Sequence, residues 1–193
     1  DTLGRITART DDFLGTQSIT VWTYDTAESG RGKLDNITGP NGYEEDYSYD
    51  TLGRVTETTT FVGDDDYTTT AEYDLLGRPS GLTYPNGLRV KNVYDELGYL
   101  TEIRRADGVF DIAFWRAEKM DLRGNITEFR YGNQYQNTRS HKPSTGRIQE
   151  ITSTPTGGST QLHHKYTFDS VGNLKSRRDV VLDNTETMEY DHL

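Results

Sequence analysis

The chain has no cysteine, two methionines, five prolines and no apolar run approaching the ~18 residues of a membrane span. Without cysteine there is no disulfide framework and no thiolate-ligated metal. A secreted or envelope protein of this composition must hold together without staples. Cations are also scarce: 21 Lys and Arg against 31 Asp and Glu leave a net charge of −10. That excludes a general binder of nucleic acid or anionic membrane, which needs a basic face. Apolar residues make up 32% of the chain. Counting the 19 glycines raises this to about 42%, still below the roughly 45–50% of globular domains, which argues against one thick core. Disorder is opposed by 13 Tyr, 6 Phe and 2 Trp. The opening Asp1-Thr2-Leu3-Gly4-Arg5 has neither the basic start nor the apolar stretch of a signal peptide.

What the chain has instead is a repeat. Tyr49-Asp50-Thr51-Leu52-Gly53-Arg54-Val55 is its clearest copy. Tyr73-Asp74 with Gly77-Arg78, and Tyr94-Asp95 with Gly98-Tyr99, repeat it. Asp1 to Ile6 is the same unit without its Tyr. Met120-Asp121 with Gly124-Asn125, and Phe168-Asp169 with Gly172-Asn173, are variants. Tyr24-Asp25 leads into a longer loop, His141-Lys142 with Gly146-Arg147 has Lys in the Asp place, and Tyr190-Asp191 opens one more copy. The Asp-equivalent positions are 1, 25, 50, 74, 95, 121, 142, 169 and 191, a mean period just under 24. Residues 1–193 are therefore expected to be a single array of about eight repeats, cut within a repeat at both ends from something larger.

Each part of the unit has a physical task. An Asp opening a turn accepts backbone N–H groups ahead of it, and Gly three residues on supplies positive φ at Gly53, Gly77, Gly98, Gly124 and Gly172. A branched apolar residue then starts a strand, as in Leu100-Thr101-Glu102-Ile103. Second turns follow at Pro40-Asn41-Gly42, Pro85-Asn86-Gly87, Ala106-Asp107-Gly108 and Gly157-Gly158. The return strands alternate, as at Leu88, Val90, Asn92 and Tyr94. The fold class is thus all-β, a repetitive antiparallel hairpin ribbon of about 16 strands with no significant helix; even 110–119 reads as strand. Strand twist has one hand, so such a ribbon is expected to curl into a spiral shell segment.

These motifs resemble the YD-repeat, or RHS-repeat, family, whose pattern is Tyr-Asp-x-x-Gly-Arg-(Leu/Ile/Val), a spacer with a Gly turn, and the next Tyr-Asp. The resemblance covers essentially the whole chain and implies a long β-ribbon wound into a hollow shell. In bacterial insecticidal toxin complexes and RHS polymorphic toxins that shell encloses a C-terminal toxic polypeptide. In animal teneurins a similar shell lies outside the cell, and wall-associated bacterial members are linked to carbohydrate binding. What it implies here is a structural shell segment of a large secreted or cell-envelope bacterial protein. Its partners would be the neighbouring repeats and the C-terminal toxin domain of the same parent. The alternative is an extracellular module that binds carbohydrate or the cell surface, through cell-surface glycans or proteins. No nucleic acid, membrane span, cofactor, metal or catalytic residue is expected.

Residues that could suggest other chemistry have plainer readings. A glycosidase needs one carboxylate pair, whereas Asp at every turn reads as turn structure. Asp64-Asp65-Asp66 reads as a solvated charge run in a loop before Tyr67, lacking the alternating oxygens of a calcium loop. His163 and His164 fall on opposite faces of a strand and cannot share a metal. The periodic tyrosines read as a ladder holding consecutive repeats together, and their sharper reading is a sugar-stacking surface.

Overall fold

The computed structural model describes residues 1–108, 110 and 112–191. Sixteen strands form an antiparallel sheet whose strand order is the chain order. The first eight are β1 (Ala8–Phe13), β2 (Thr16–Tyr24), β3 (Leu34–Thr38), β4 (Glu44–Tyr49), β5 (Val55–Val62), β6 (Asp65–Tyr73), β7 (Pro79–Thr83) and β8 (Arg89–Tyr94). The second eight are β9 (Leu100–Arg105), β10 (Ala113–Met120), β11 (Ile126–Tyr131), β12 (Tyr135–His141), β13 (Ile148–Pro155), β14 (Leu162–Phe168), β15 (Leu174–Asp179) and β16 (Asn184–Thr187). The one helical element among the described residues is a 3-10 turn, Pro40–Gly42. The chain divides into two compact units, one of residues 1–91 and 106–109 and one of residues 92–105 and 110–193.

In the first unit the pairing sorts side chains by face, because directly opposed residues point the same way. Trp22 stands opposite Ile37, Ile37 opposite Glu45, and Glu45 opposite Thr60. Tyr47 and Tyr49, two and four residues along from Glu45, share that face. On the other face Asn36 is opposite Asp46, Asp46 opposite Thr59 and Thr59 opposite Thr68, with Glu57 and Thr70 in the next row. The aromatic residues Trp22, Tyr47 and Tyr49 thus share one face with Glu45 and Thr60, while the other is rich in threonine and carboxylate. The burial of β2 follows the same rule, with Ser18, Thr20, Trp22 and Tyr24 half-buried between exposed neighbours.

The second unit is built alike. Phe129 is opposite Ala117 on one side and Asn137 on the other. The Tyr131 ring meets Phe129 edge-on at 5.5 Å, and the Arg139 guanidinium lies 4.7 Å from the Phe129 ring centre. Its opposite face is knitted by ion pairs such as Arg116–Glu102, Lys119–Glu128 and Arg130–Glu118.

A sheet with two wet faces has little interior. Val90 and Phe129 are the only buried large hydrophobics among the described residues. The accessible surface is 13367 Å², against about 9,300 Å² for a compact monomer of this mass. Stability must come from many half-buried contacts between neighbouring strands, as the low apolar content requires.

One sequence expectation shifts in detail, and one turn is added to those expected. Asp65 and Asp66 are not in a loop: they lie in β6 opposite Val62 and Phe61, because Gly63 and Asp64 alone make the turn. A further tight turn at Leu14-Gly15, with φ of 52° and 80°, joins β1 to β2.

Candidate functional site

The residues repeated in the sequence converge on one recurrent device, the turn that starts at Asp. At Asp50 the Gly53 N–H donates to the Asp50 carbonyl at 2.8 Å, and the Asp50 N–H donates to the Arg54 carbonyl at 2.9 Å. The carboxylate closes the ring from inside. Its Oδ1 accepts the N–H groups of Leu52 at 2.9 Å and Arg54 at 3.0 Å, while Oδ2 accepts Arg54 Nε at 2.7 Å. Asp74 binds Leu76 and Arg78 in the same way, and Asp1 binds Leu3 and Arg5. Asp121 and Asp169 use the side-chain amides of Asn125 and Asn173 in place of arginine. Asp95 keeps the two backbone bonds, to Leu97 and Tyr99. Gly53, Gly77, Gly98, Gly124 and Gly172 have φ of 71°, 81°, 88°, 83° and 109°.

These bonds act on the carboxyl groups. The Arg54 side chain, then the Arg54 backbone N–H, hold the Asp50 carboxyl below its ordinary range. The Asn125 side chain and backbone do the same for Asp121. At Asp74 and Asp169 desolvation is the largest influence and pushes upward, but the turn's hydrogen bonds together outweigh it and the carboxyls again end low. Charged carboxylates are thus the state the turns are built around.

The cation that closes one turn also reaches the next. The Arg54 guanidinium lies 4.2 Å from the Tyr73 ring centre, and the Tyr73 hydroxyl donates to the Val55 carbonyl at 2.8 Å. Arg5 lies 4.3 Å from the Tyr24 ring centre and donates to Asp25 Oδ2 at 2.6 Å. Asp25 opens the longer loop, accepting the Gly32 N–H at 2.5 Å. Tyr49 donates to the Leu34 carbonyl, and Tyr190, just before Asp191, donates to that of Leu174 at 3.0 Å. Arg147 lies 5.8 Å from the Phe168 ring centre and donates to the Val171 carbonyl at 3.3 Å. Tyr94 ends β8 half-buried, one residue before the Asp95 turn. What sequence reading did not give is the arginine set between one repeat's Asp and the next repeat's ring, as at Asp50, Arg54 and Tyr73.

That wedge gives the turn glycines a second reason. A Cβ on Gly77 would stand 3.4 Å from Arg54 Nη1, and one on Gly124 would stand 3.2 Å from Tyr99 Cε1. At Gly172 it would fall on the Arg147 guanidinium itself. The middle of the turn points outward, leaving Leu52 75% and Leu122 fully exposed.

The Lys142 turn departs from this scheme. Gly146 has φ of 70° and donates to the Lys142 carbonyl at 2.8 Å, but the Arg147 N–H finds only Thr145 Oγ1, at 3.4 Å.

The remaining sequence candidates are separate from one another. His163 pairs with Glu150, while His164, on the other face, faces Asp179 at 3.4 Å. No group of three or more potential metal ligands occurs among the described residues. No helix among them is long and apolar enough to cross a membrane.

No protein-family profile and no curated protein sequence matches the chain. Solved structures do. The chain aligns with the structure described as TcdB2-TccC3 without hypervariable C-terminal region at a TM-score of 0.62 and 18% identity, over 90% of this chain and 11% of that one. For TcdB2-TccC3-Cdc42 the TM-score is 0.62 and the identity 18%, over 86% of this chain and 10% of that one. At that identity the likeness is one of fold, and the chain spans about a tenth of the length of the structures it matches.

Proposed function

We propose, from the fold shared with TcdB2-TccC3, that this chain is a structural wall segment of an RHS-repeat shell in a large secreted bacterial protein. The shell encapsulates a C-terminal toxin polypeptide of the same parent. The observation that carries the reading is where the repeat's chemistry goes. At Asp50, Arg54, Tyr73 and Gly77 the repeat's Asp, Arg, aromatic residue and Gly are all used in fastening one turn to the next. A catalytic site would need preorganised residues that depart from their repeat equivalents and converge on one point. One of the matched structures is described as lacking a hypervariable C-terminal region, which fits a parent whose enclosed segment varies while its wall does not.

The test is protease protection in the full parent protein. The C-terminal polypeptide should be cut far more slowly inside the parent than alone. Arg54→Ala combined with Tyr73→Ala should speed that cutting by loosening the wall. Equal cutting of the enclosed and isolated polypeptide would refute encapsulation.

Glycan binding is favoured by one feature, an open cleft of ≈ 660 Å³ in the first unit where Tyr47 and Tyr49 stand with Asp35. Rings beside a carboxylate suit a sugar. Binding of this chain on a glycan array, lost with Tyr47→Ala, would support that reading.

A further inference from the structure

We propose that the Lys142–Arg147 turn and the cavity beside it bind the carboxylate group of a small acid. The argument starts from what this turn lacks. At Asp1, Asp50, Asp74, Asp95, Asp121 and Asp169 a carboxylate accepts the N–H groups two and four residues on. Lys142 occupies that place here and has nothing to accept with. This turn is one residue longer, so the residue after its glycine, Arg147, lies five residues on; its N–H has only a long contact to Thr145 Oγ1, the Gly146 N–H donates to the Lys142 carbonyl, and the exposed Ser144 N–H has no acceptor among the described residues.

Next to this turn is a cavity of ≈ 430 Å³ lined by Arg123, Arg139, His141 and Lys142, with Leu122 and Pro143 as apolar wall. Its one carboxylate, Asp121, is already engaged. Oδ1 accepts the N–H groups of Arg123 and Asn125, both at 2.9 Å, and Oδ2 accepts Asn125 Nδ2 at 3.0 Å. The cations are not matched by anions. Arg123 donates to the Pro143 carbonyl, Arg139 rests on the Phe129 ring, and among the described residues neither Arg139 nor Lys142 is in an ion pair. His141 Nδ1 is buried without a hydrogen-bond partner.

Three permanent cations around a single saturated carboxylate make a site short of one negative group. The regular turns carry a carboxylate at the position of Lys142, and a carboxylate is the group that would match these three cations. An arginine fork receives a carboxylate in two parallel hydrogen bonds, and Leu122 and Pro143 would cover the apolar stem behind it. The site does not depend on the shell reading.

The experiment titrates the whole chain with sodium acetate and, separately, sodium glucuronate, against sodium chloride of equal ionic strength. Amide shifts are followed by ¹H–¹⁵N NMR. Saturable shifts at Lys142, Ser144, Gly146 and Leu122 are expected with both acids. Equal affinity would show a site reading the carboxylate alone; tighter glucuronate would show that the cavity also holds the ring. Lys142→Asp puts the missing carboxylate back and should weaken binding about tenfold or more. Arg139→Gln, which leaves the turn untouched, should weaken it similarly with the spectrum otherwise preserved. The proposal is overturned if neither acid gives saturable shifts beyond the chloride control, or if folded Lys142→Asp and Arg139→Gln bind as the parent chain does.

Discussion

Gly172 offers the sharpest test of the turn-to-turn wedge. Replacing it with Ala has two costs that can be separated. A Cβ in the left-handed region costs roughly 1–2 kcal/mol whatever surrounds it. Gly157, with φ of 75° and nothing within 4 Å of a would-be Cβ, isolates that cost on the neighbouring hairpin. At Gly172, with φ of 109°, the new methyl also expels the Arg147 guanidinium. Arg147 then loses its hydrogen bond to the Val171 carbonyl, worth about 0.5–1 kcal/mol for an exposed pair. It loses as well its place over Phe168, worth about 0.5 kcal/mol. Gly172→Ala should therefore cost about 1–1.5 kcal/mol more than Gly157→Ala. Amide hydrogen exchange across β14 and β15 reads the opening free energy where both substitutions act. In an Arg147→Ala background the excess should fall by that amount, leaving only what the wider φ at Gly172 costs. Equal costs for the two glycines, or an excess that Arg147→Ala does not reduce, would refute the wedge.

Removing one hydroxyl tests the ladder: Tyr73→Phe should lose about 1 kcal/mol with its bond to the Val55 carbonyl, measured by exchange in β5 and β6. Arg54→Lys should be destabilising despite the unchanged charge, because lysine has no Nε to reach Asp50 and no planar face for Tyr73; thermal melting with the Tyr73→Ala double variant reads the coupling. The low carboxyl pKa values of Asp50, Asp74, Asp121 and Asp169 fix the acid limb of stability. Their contribution is full above the unfolded Asp value of about 3.9 and is lost as pH falls through the lower folded values. Denaturant midpoints should be flat from pH 7 to about 5 and drop below about 4, less steeply in Asp50→Asn with Asp74→Asn.

The turns were legible because their constraint is local: four or five consecutive residues contain the donor, the acceptor and the glycine. The strands were legible by alternation. What period and composition do not encode is partnership across the repeat. Arg54 and Tyr73 are separated by a whole hairpin, and only the register of β5 and β6 brings them together. The aspartates at 64–66 misled because three charges in a row look like a loop, although a turn of Gly63 and Asp64 suffices and leaves Asp65 and Asp66 in the strand. Leu14 at φ of 52° escaped because leucine does not advertise a left-handed position. The carboxylate deficit at Lys142 was visible as an irregular copy. Its meaning depended on Asp121 being already saturated, which only geometry reveals.

The fastening has a direction. In a copy that keeps the full motif, Asp and Arg are one half of a clasp whose other half is the aromatic residue and Gly of the next copy, as with Asp50 and Arg54 against Tyr73 and Gly77. A duplication of one whole period inserts both halves together, and every clasp on either side still closes. A loss of half a period leaves an arginine facing no ring. Array length is therefore a quantity that unequal recombination can change in whole steps without redesigning the interfaces, and the drift of individual copies, as at Lys142, is tolerated because its consequences stop at the adjacent clasp.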